Sequence, residues 1–107
     1  MAIGPDEATS MAVVLAGVAE PTRMGILAVL AAGAAPVGDL AARVGVPVVN
    51  MSHHLNVLHR AGILASVKRG RHVLYALDPA LFTPAAGPES LGTIRVGPWT
   101  LTVGRAA

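Results

Sequence analysis

The stretch that decides the fold runs Val37-Gly-Asp-Leu-Ala-Ala-Arg-Val-Gly-Val-Pro-Val-Val-Asn-Met-Ser-His-His-Leu-Asn-Val-Leu-His-Arg-Ala-Gly62. Val37–Val44 reads as a short helix, with Asp39 in the first turn, where the helix dipole favours an anion. Gly45-Val46 breaks that helix, and Pro47 opens a second one that runs to about Ala61 and closes at Gly62. Two helices joined by about three residues including a glycine have the spacing of a helix-turn-helix.

The longer helix divides cleanly by face. At ~100° per residue, Met51, Leu55 and Leu58 share one side, which the core requires. Val49, Ser52, His53, Asn56 and Arg60 project the other way, with Asn50 on the flank. The major groove of DNA admits a helix of this kind, and its N-terminal residues reach the base edges. Asn50 and Asn56 suit bidentate pairing with adenine, Ser52 and His53 suit bases or phosphates, and Val49 suits a thymine methyl. Arg60, farther along, suits a phosphate. An amphipathic helix with a merely solvated polar face is the plain alternative.

The next segment of chain argues against that alternative. Ile63–Lys68 and His72–Leu77 are apolar-rich runs separated by Arg69-Gly70-Arg71, the pattern of a β-hairpin whose glycine supplies a positive φ. A helix-turn-helix with a basic-tipped hairpin directly after it is a winged helix, and Lys68, Arg69 and Arg71 suit backbone contacts. Charge is segregated in the same way. From Leu40 to Leu77 there are five bases, all four histidines and no acid, whereas the remainder holds three bases against six acids. A polyanion-binding surface needs that separation.

Upstream, Asp6–Ala19 reads as a first helix with Met11, Val14, Leu15 and Val18 at helical spacing. Pro21 suits the start of a second helix that runs to about Ala32, buries Met24, Leu27 and Leu30, and stops at Gly33. Downstream, Thr83–Gly92 reads as a Pro-, Ala- and Gly-rich loop, and Thr93–Val103 as a small hairpin or one bent strand. The expected organisation is therefore a winged helix over residues 1–82 (helix-turn-helix 37–61, wing 63–77), a loop over 83–92 and a β segment over 93–107.

A chain of 107 residues supports one compact domain. Without cysteine it has no disulfide, thiolate metal site or cysteine nucleophile. The N-terminus has no positively charged leader, and the apolar run Met11–Ala19 is too short to cross a bilayer, so the expectation is a cytoplasmic, nucleoid-associated protein with no membrane partner. No nucleophile–base pair, phosphate-cradling loop or carboxylate dyad stands out, so an enzyme is not expected.

Several segments carry a family resemblance. Leu15-Ala-Gly-Val-Ala-Glu-Pro-Thr-Arg-Met-Gly-Ile-Leu27, Asp39-Leu-Ala-Ala-Arg-Val-Gly45, Met51-Ser-His-His-Leu-Asn-Val-Leu58, Ala61-Gly-Ile-Leu64 and Arg69-Gly-Arg-His-Val-Leu-Tyr75 resemble the corresponding parts of arsenic-repressor-type (ArsR/SmtB) regulators. The resemblance covers about residues 12–82. It implies a mainly α fold with a small β wing (α+β), and a homodimer that binds a two-fold DNA operator and represses until an effector or metal releases it. The family's thiolate sensor would fall where this chain has Pro36 and Gly38. Its second metal site lies on a C-terminal helix, and Thr83–Ala107 has neither a histidine nor a helical pattern. No cofactor is expected on that basis, and a C-terminal β segment stands in for the last helix. The dimer interface then falls on the first helix and 93–103, with Val14, Leu15, Val18, Trp99 and Leu101 as its candidates. Two alternatives remain open. One is a nickel- or zinc-responsive regulator pairing a histidine with oxygen ligands such as Asp6-Glu7; the other is a winged-helix protein-interaction module without DNA readout.

Overall fold

The computed structural model describes residues 5–85, 90–96 and 99–104. Within these residues four helices follow the chain breakers seen in the sequence: α1 (Pro5–Val18), α2 (Pro21–Ala31), α3 (Val37–Val44) and α4 (Val48–Arg60). At the α1–α2 corner Glu20 takes extended backbone angles and its carboxylate accepts a hydrogen bond from the Arg23 backbone N–H at 2.9 Å, capping α2, while Pro21 fills the first turn. The turn between α3 and α4 depends on Gly45, whose φ of 82° is left-handed. Its N–H and that of Val46 both donate to the Ala41 carbonyl, closing α3 before Pro47 starts α4.

Among the described residues six short strands make two antiparallel sheets: β1 (Ala35–Pro36), β2 (Leu64–Arg69), β3 (His72–Leu77), β4 (Phe82–Pro84), β5 (Ser90–Val96) and β6 (Trp99–Gly104). The first sheet has the order β1-β3-β2, with Leu64 opposite Leu77 at its root and Arg69 opposite His72 at its tip. Gly70-Arg71 closes this hairpin; a φ of 61° at Gly70 and no positive φ at Arg71 fit a type II′ turn, which demands glycine first. The second sheet has the order β4-β5-β6, with Phe82 opposite Ile94 and Ile94 opposite Leu101.

One core joins the pieces. Ile26, Leu40, Met51, Leu58, Ile63 and Ile94 are nearly or fully removed from solvent, and Val14, Leu27, Leu55, Leu64, Leu77 and Phe82 pack with them. Ile94 and Phe82 thus tie the second sheet to the helices.

Two expectations change and one open choice is resolved. Met24 is 60% exposed, not buried, because α2 turns Ile26, Leu27 and Leu30 inward and leaves Met24 on the outer side. The loop expected over 83–92 is strand at both ends, since β4 pairs Phe82–Pro84 with β5, which already begins at Ser90; residues 86–89 lie outside the described residues. The choice between a hairpin and a bent strand over 93–103 resolves to the β5–β6 hairpin, with Thr93 opposite Thr102 and Val96 opposite Trp99. The two-residue strand β1 has no counterpart among the elements expected from sequence. Among the described residues no single helix is long and apolar enough to cross a membrane.

Candidate nucleic-acid interface

The face of α4 is set by its buried side. With Met51, Leu55 and Leu58 in the core, Asn50, Ser52, His53, Asn56 and Arg60 are all exposed, and Val49 is 80% exposed. Val48, beside it in the first turn, is also exposed. An apolar pair left in water at the leading end of a helix has no packing explanation within the chain. Pro47 caps α4 without any side-chain hydrogen bond, and the Asn50 N–H donates to the Pro47 carbonyl at 3.0 Å.

The wing carries the positive charge away from the core. Burial falls along β2 from Leu64 to its exposed end and is recovered along β3 toward Leu77, so Lys68, Arg69, Arg71 and His72 stand in solvent around the Gly70 turn. Between α4 and this hairpin lies a cleft of about 470 Å³ lined by Ser52, Leu55, Asn56, His59, Ser66 and Tyr75. Ser52 and Asn56 are thus brought together with three polar side chains that sequence reasoning does not single out. The signals for those three are nonetheless present: His59 continues the Ser52–Asn56 face at helical spacing, and Ser66 stands opposite Tyr75 in the hairpin register.

The adjacent histidines part company. His53 is exposed, whereas His54 turns inward to the α1–α2 corner, with its Nδ1 3.3 Å from Arg23 Nη1 and 3.6 Å from Glu20 Oε2. Arg23 in turn donates from Nε to the Gly17 carbonyl at the end of α1. The hydrogen bond from the Arg23 backbone, opposed by partial burial and helped by Thr22 and His54, holds the Glu20 carboxyl below its ordinary value of 4.5.

Among the described residues no group of three or more His, Asp or Glu side chains comes together to hold a metal ion. Of the interface candidates, Leu15 and Trp99 are 42% and 46% exposed, and Val18 and Leu101 are half-buried. Val14 differs: at 4% exposure it is spent in the chain's own core and offers no surface to a partner. Leu15 lies in two neighbouring apolar grooves, one with Ala8, Met11, Ala12 and Trp99, the other with Val18, Met24, Ala28, Leu101 and Val103 among its walls.

Comparison with known proteins agrees with this architecture. Residues 18–67 match the family model described as a helix-turn-helix domain. The chain is 32% identical over 65 residues to the transcriptional repressor SdpR of Bacillus subtilis, covering 61% of this chain and 72% of that protein. It is 39% identical over 69 residues to the HTH-type transcriptional regulator CmtR of Mycobacterium tuberculosis, covering 64% of this chain but only 58% of CmtR. The structure of an ArsR-like transcriptional regulator from Rhodococcus sp. RHA1 superposes with a TM-score of 0.65 at 32% identity, over 70% of this chain and 71% of that one. These relatives are transcription regulators, not enzymes. The chain belongs to the ArsR/SmtB-type family of winged helix-turn-helix transcriptional regulators.

Proposed function

We propose that the chain is a homodimeric repressor that reads double-stranded DNA with α4 and grips the backbone with its wing. One observation carries the reading: the exposed polar face of α4 and the basic tip of the β2–β3 hairpin lie within a stretch, Leu40–Leu77, that has five bases and no acid. Asn50, Ser52, His53 and Asn56, with Val49, are assigned to base edges and nearby phosphates; Arg60, Lys68, Arg69 and Arg71 are assigned to phosphates. A second copy is assigned to the apolar surface around Leu15, Val18, Trp99 and Leu101, which joins α1 to β6 and would otherwise face water. The names of SdpR and CmtR support regulation of transcription, and the repressor in SdpR's name supports its direction.

Salt dependence tests the DNA reading against a protein-interaction module. Binding to a random-sequence duplex should weaken along a straight line of log affinity against log salt, with a slope of about −0.9 for each phosphate neutralised. A salt-independent affinity, or none at low salt, would overturn it.

A further inference from the structure

The cleft between α4 and the wing holds more hydrogen-bonding capacity than the chain uses. Ser52, Asn56 and His59 descend one side of α4 at helical spacing, and Ser66 and Tyr75 face them from paired positions on β2 and β3. Leu55, 4% exposed, forms an apolar floor between them. Among the described residues none of these five polar side chains makes a hydrogen bond or ion pair with the protein. Two hydroxyls, a phenol, an amide and an imidazole are all able to donate, and all converge on one opening.

The surroundings fix the sign of what would enter. No carboxylate side chain occurs anywhere from Leu40 to Leu77. Lys68 lies two residues beyond Ser66, on the same face of β2 by strand alternation, whereas Arg60 turns from the cleft to the groove along α1. An anion with several acceptor oxygens matches this set of donors, and a cationic group would not. The cleft also runs between the two elements assigned to DNA, where a backbone strand leaving the groove beside α4 would pass.

We propose that this cleft seats a phosphodiester of one DNA strand, with His59, Ser66 and Tyr75 as phosphate-binding residues beside Ser52 and Asn56. The proposal rests on the DNA-binding reading and gives it a specific contact: the strand is held from two sides, and α4 is fixed against its backbone while the leading turn meets the bases. Contacts of this kind carry no sequence information and set register.

The test uses the full chain and a duplex that it enriches from a random-sequence pool. That duplex is resynthesised with single methylphosphonate linkages, each of which removes one backbone charge. For the parent protein, one or two adjacent linkages in each half-site should cost about two- to tenfold in affinity, the range of a single hydrogen bond. Tyr75→Phe, Ser66→Ala and His59→Gln should each weaken the unmodified duplex and largely abolish the penalty at those same linkages. Penalties elsewhere, including any that Arg71→Ala removes, should persist. Tyr75→Phe keeps the ring and loses only the hydroxyl, so it preserves packing where the other variants disturb it. Unchanged affinity in all three variants, or methylphosphonate penalties that none of them alters, would overturn the proposal while DNA binding stood. Failure to enrich any duplex, together with an absence of salt-sensitive binding, would overturn both.

Discussion

The Nδ1 atom of His54 stands 3.6 Å from Oε2 of Glu20, so α4 touches the corner between the first two helices through a side chain that turns away from its exposed face. The same nitrogen lies 3.3 Å from Arg23 Nη1. Glu20 also caps α2, and Arg23 also caps the end of α1 through the Gly17 carbonyl. One small cluster therefore ties α1, α2 and α4 together.

That cluster gives stability an acid limit. The Glu20 carboxyl is held below 4.5, first by the hydrogen bond from the Arg23 backbone. A depressed carboxylate contributes stability that is fully present above its unfolded value and is lost as pH falls through its folded one. Melting temperatures of the parent and of Glu20→Gln should therefore differ most above pH 4.5, with the parent higher. The gap should close as pH drops below that value. Parallel curves across the acid range would show that the cap does not depend on the charge.

The second sheet should unfold with the helices. Ile94 is 1% exposed and shares the core with Leu27 and Val14, so Ile94→Ala should cost about 2–4 kcal/mol of a total on the order of 5–15. Trp99, the only tryptophan, lies on β6 and reports on that sheet and its seam with α1. Urea transitions followed by Trp99 fluorescence and by helical circular dichroism should coincide. A Trp99 transition at lower urea would mark the sheet as an independent appendage.

How much of the fold is legible in sequence depends on the range of the interactions involved. The inward set Met51, Leu55 and Leu58 and the turn at Gly70 are local: one is a periodicity along a single helix, the other a conformation open to glycine. Met24 and Val14 defeat such a reading because α1 and α2 are apolar on most faces, so periodicity does not say which face meets a neighbour. Strands β1 and β4 are two and three residues long and exist because β3 and β5 pair with them. Their own residues, such as Ala35-Pro36, carry no strand pattern. The cleft is hidden for the same reason: Ser66 and Tyr75 meet α4 only through the docking of the hairpin.

Gly45 should be intolerant of a side chain although it has room for one. A Cβ there would meet nothing within 4 Å, so the φ of 82° is the whole obstacle. Gly45→Ala should cost about 1–2 kcal/mol, the penalty of a left-handed residue, and Gly45→Asn should cost less. Chemical denaturation of the two variants checks the order; equal losses would point to packing instead.

The proposed dimer is best tested by single charges. Removing residues 92–107 would also remove Ile94 from the core, so loss of dimer after such a deletion would report unfolding. Leu15→Glu and Trp99→Glu alter exposed side chains and spare that core. Each should convert a dimer to a monomer in sedimentation while leaving helical content unchanged, because an unpaired carboxylate buried at an interface is strongly unfavourable. A dimer that survives both substitutions would place the contact elsewhere.

The division of labour assigned to the DNA surface predicts two different kinds of loss. Arg71 sits at the solvent tip of the wing beside Gly70, and as a phosphate contact it is blind to sequence. Arg71→Ala should weaken binding to all duplexes by a similar factor and reduce the salt slope by about one. Asn56 and His53 lie on the exposed face of α4, where side chains reach base edges. Asn56→Ala and His53→Ala should leave the salt slope nearly intact and change which duplexes are enriched from a random pool, by about 1–3 kcal/mol at the affected position. Uniform weakening by Asn56→Ala, with an unchanged ranking of duplexes, would remove base reading from that residue and leave it only its place in the backbone cleft.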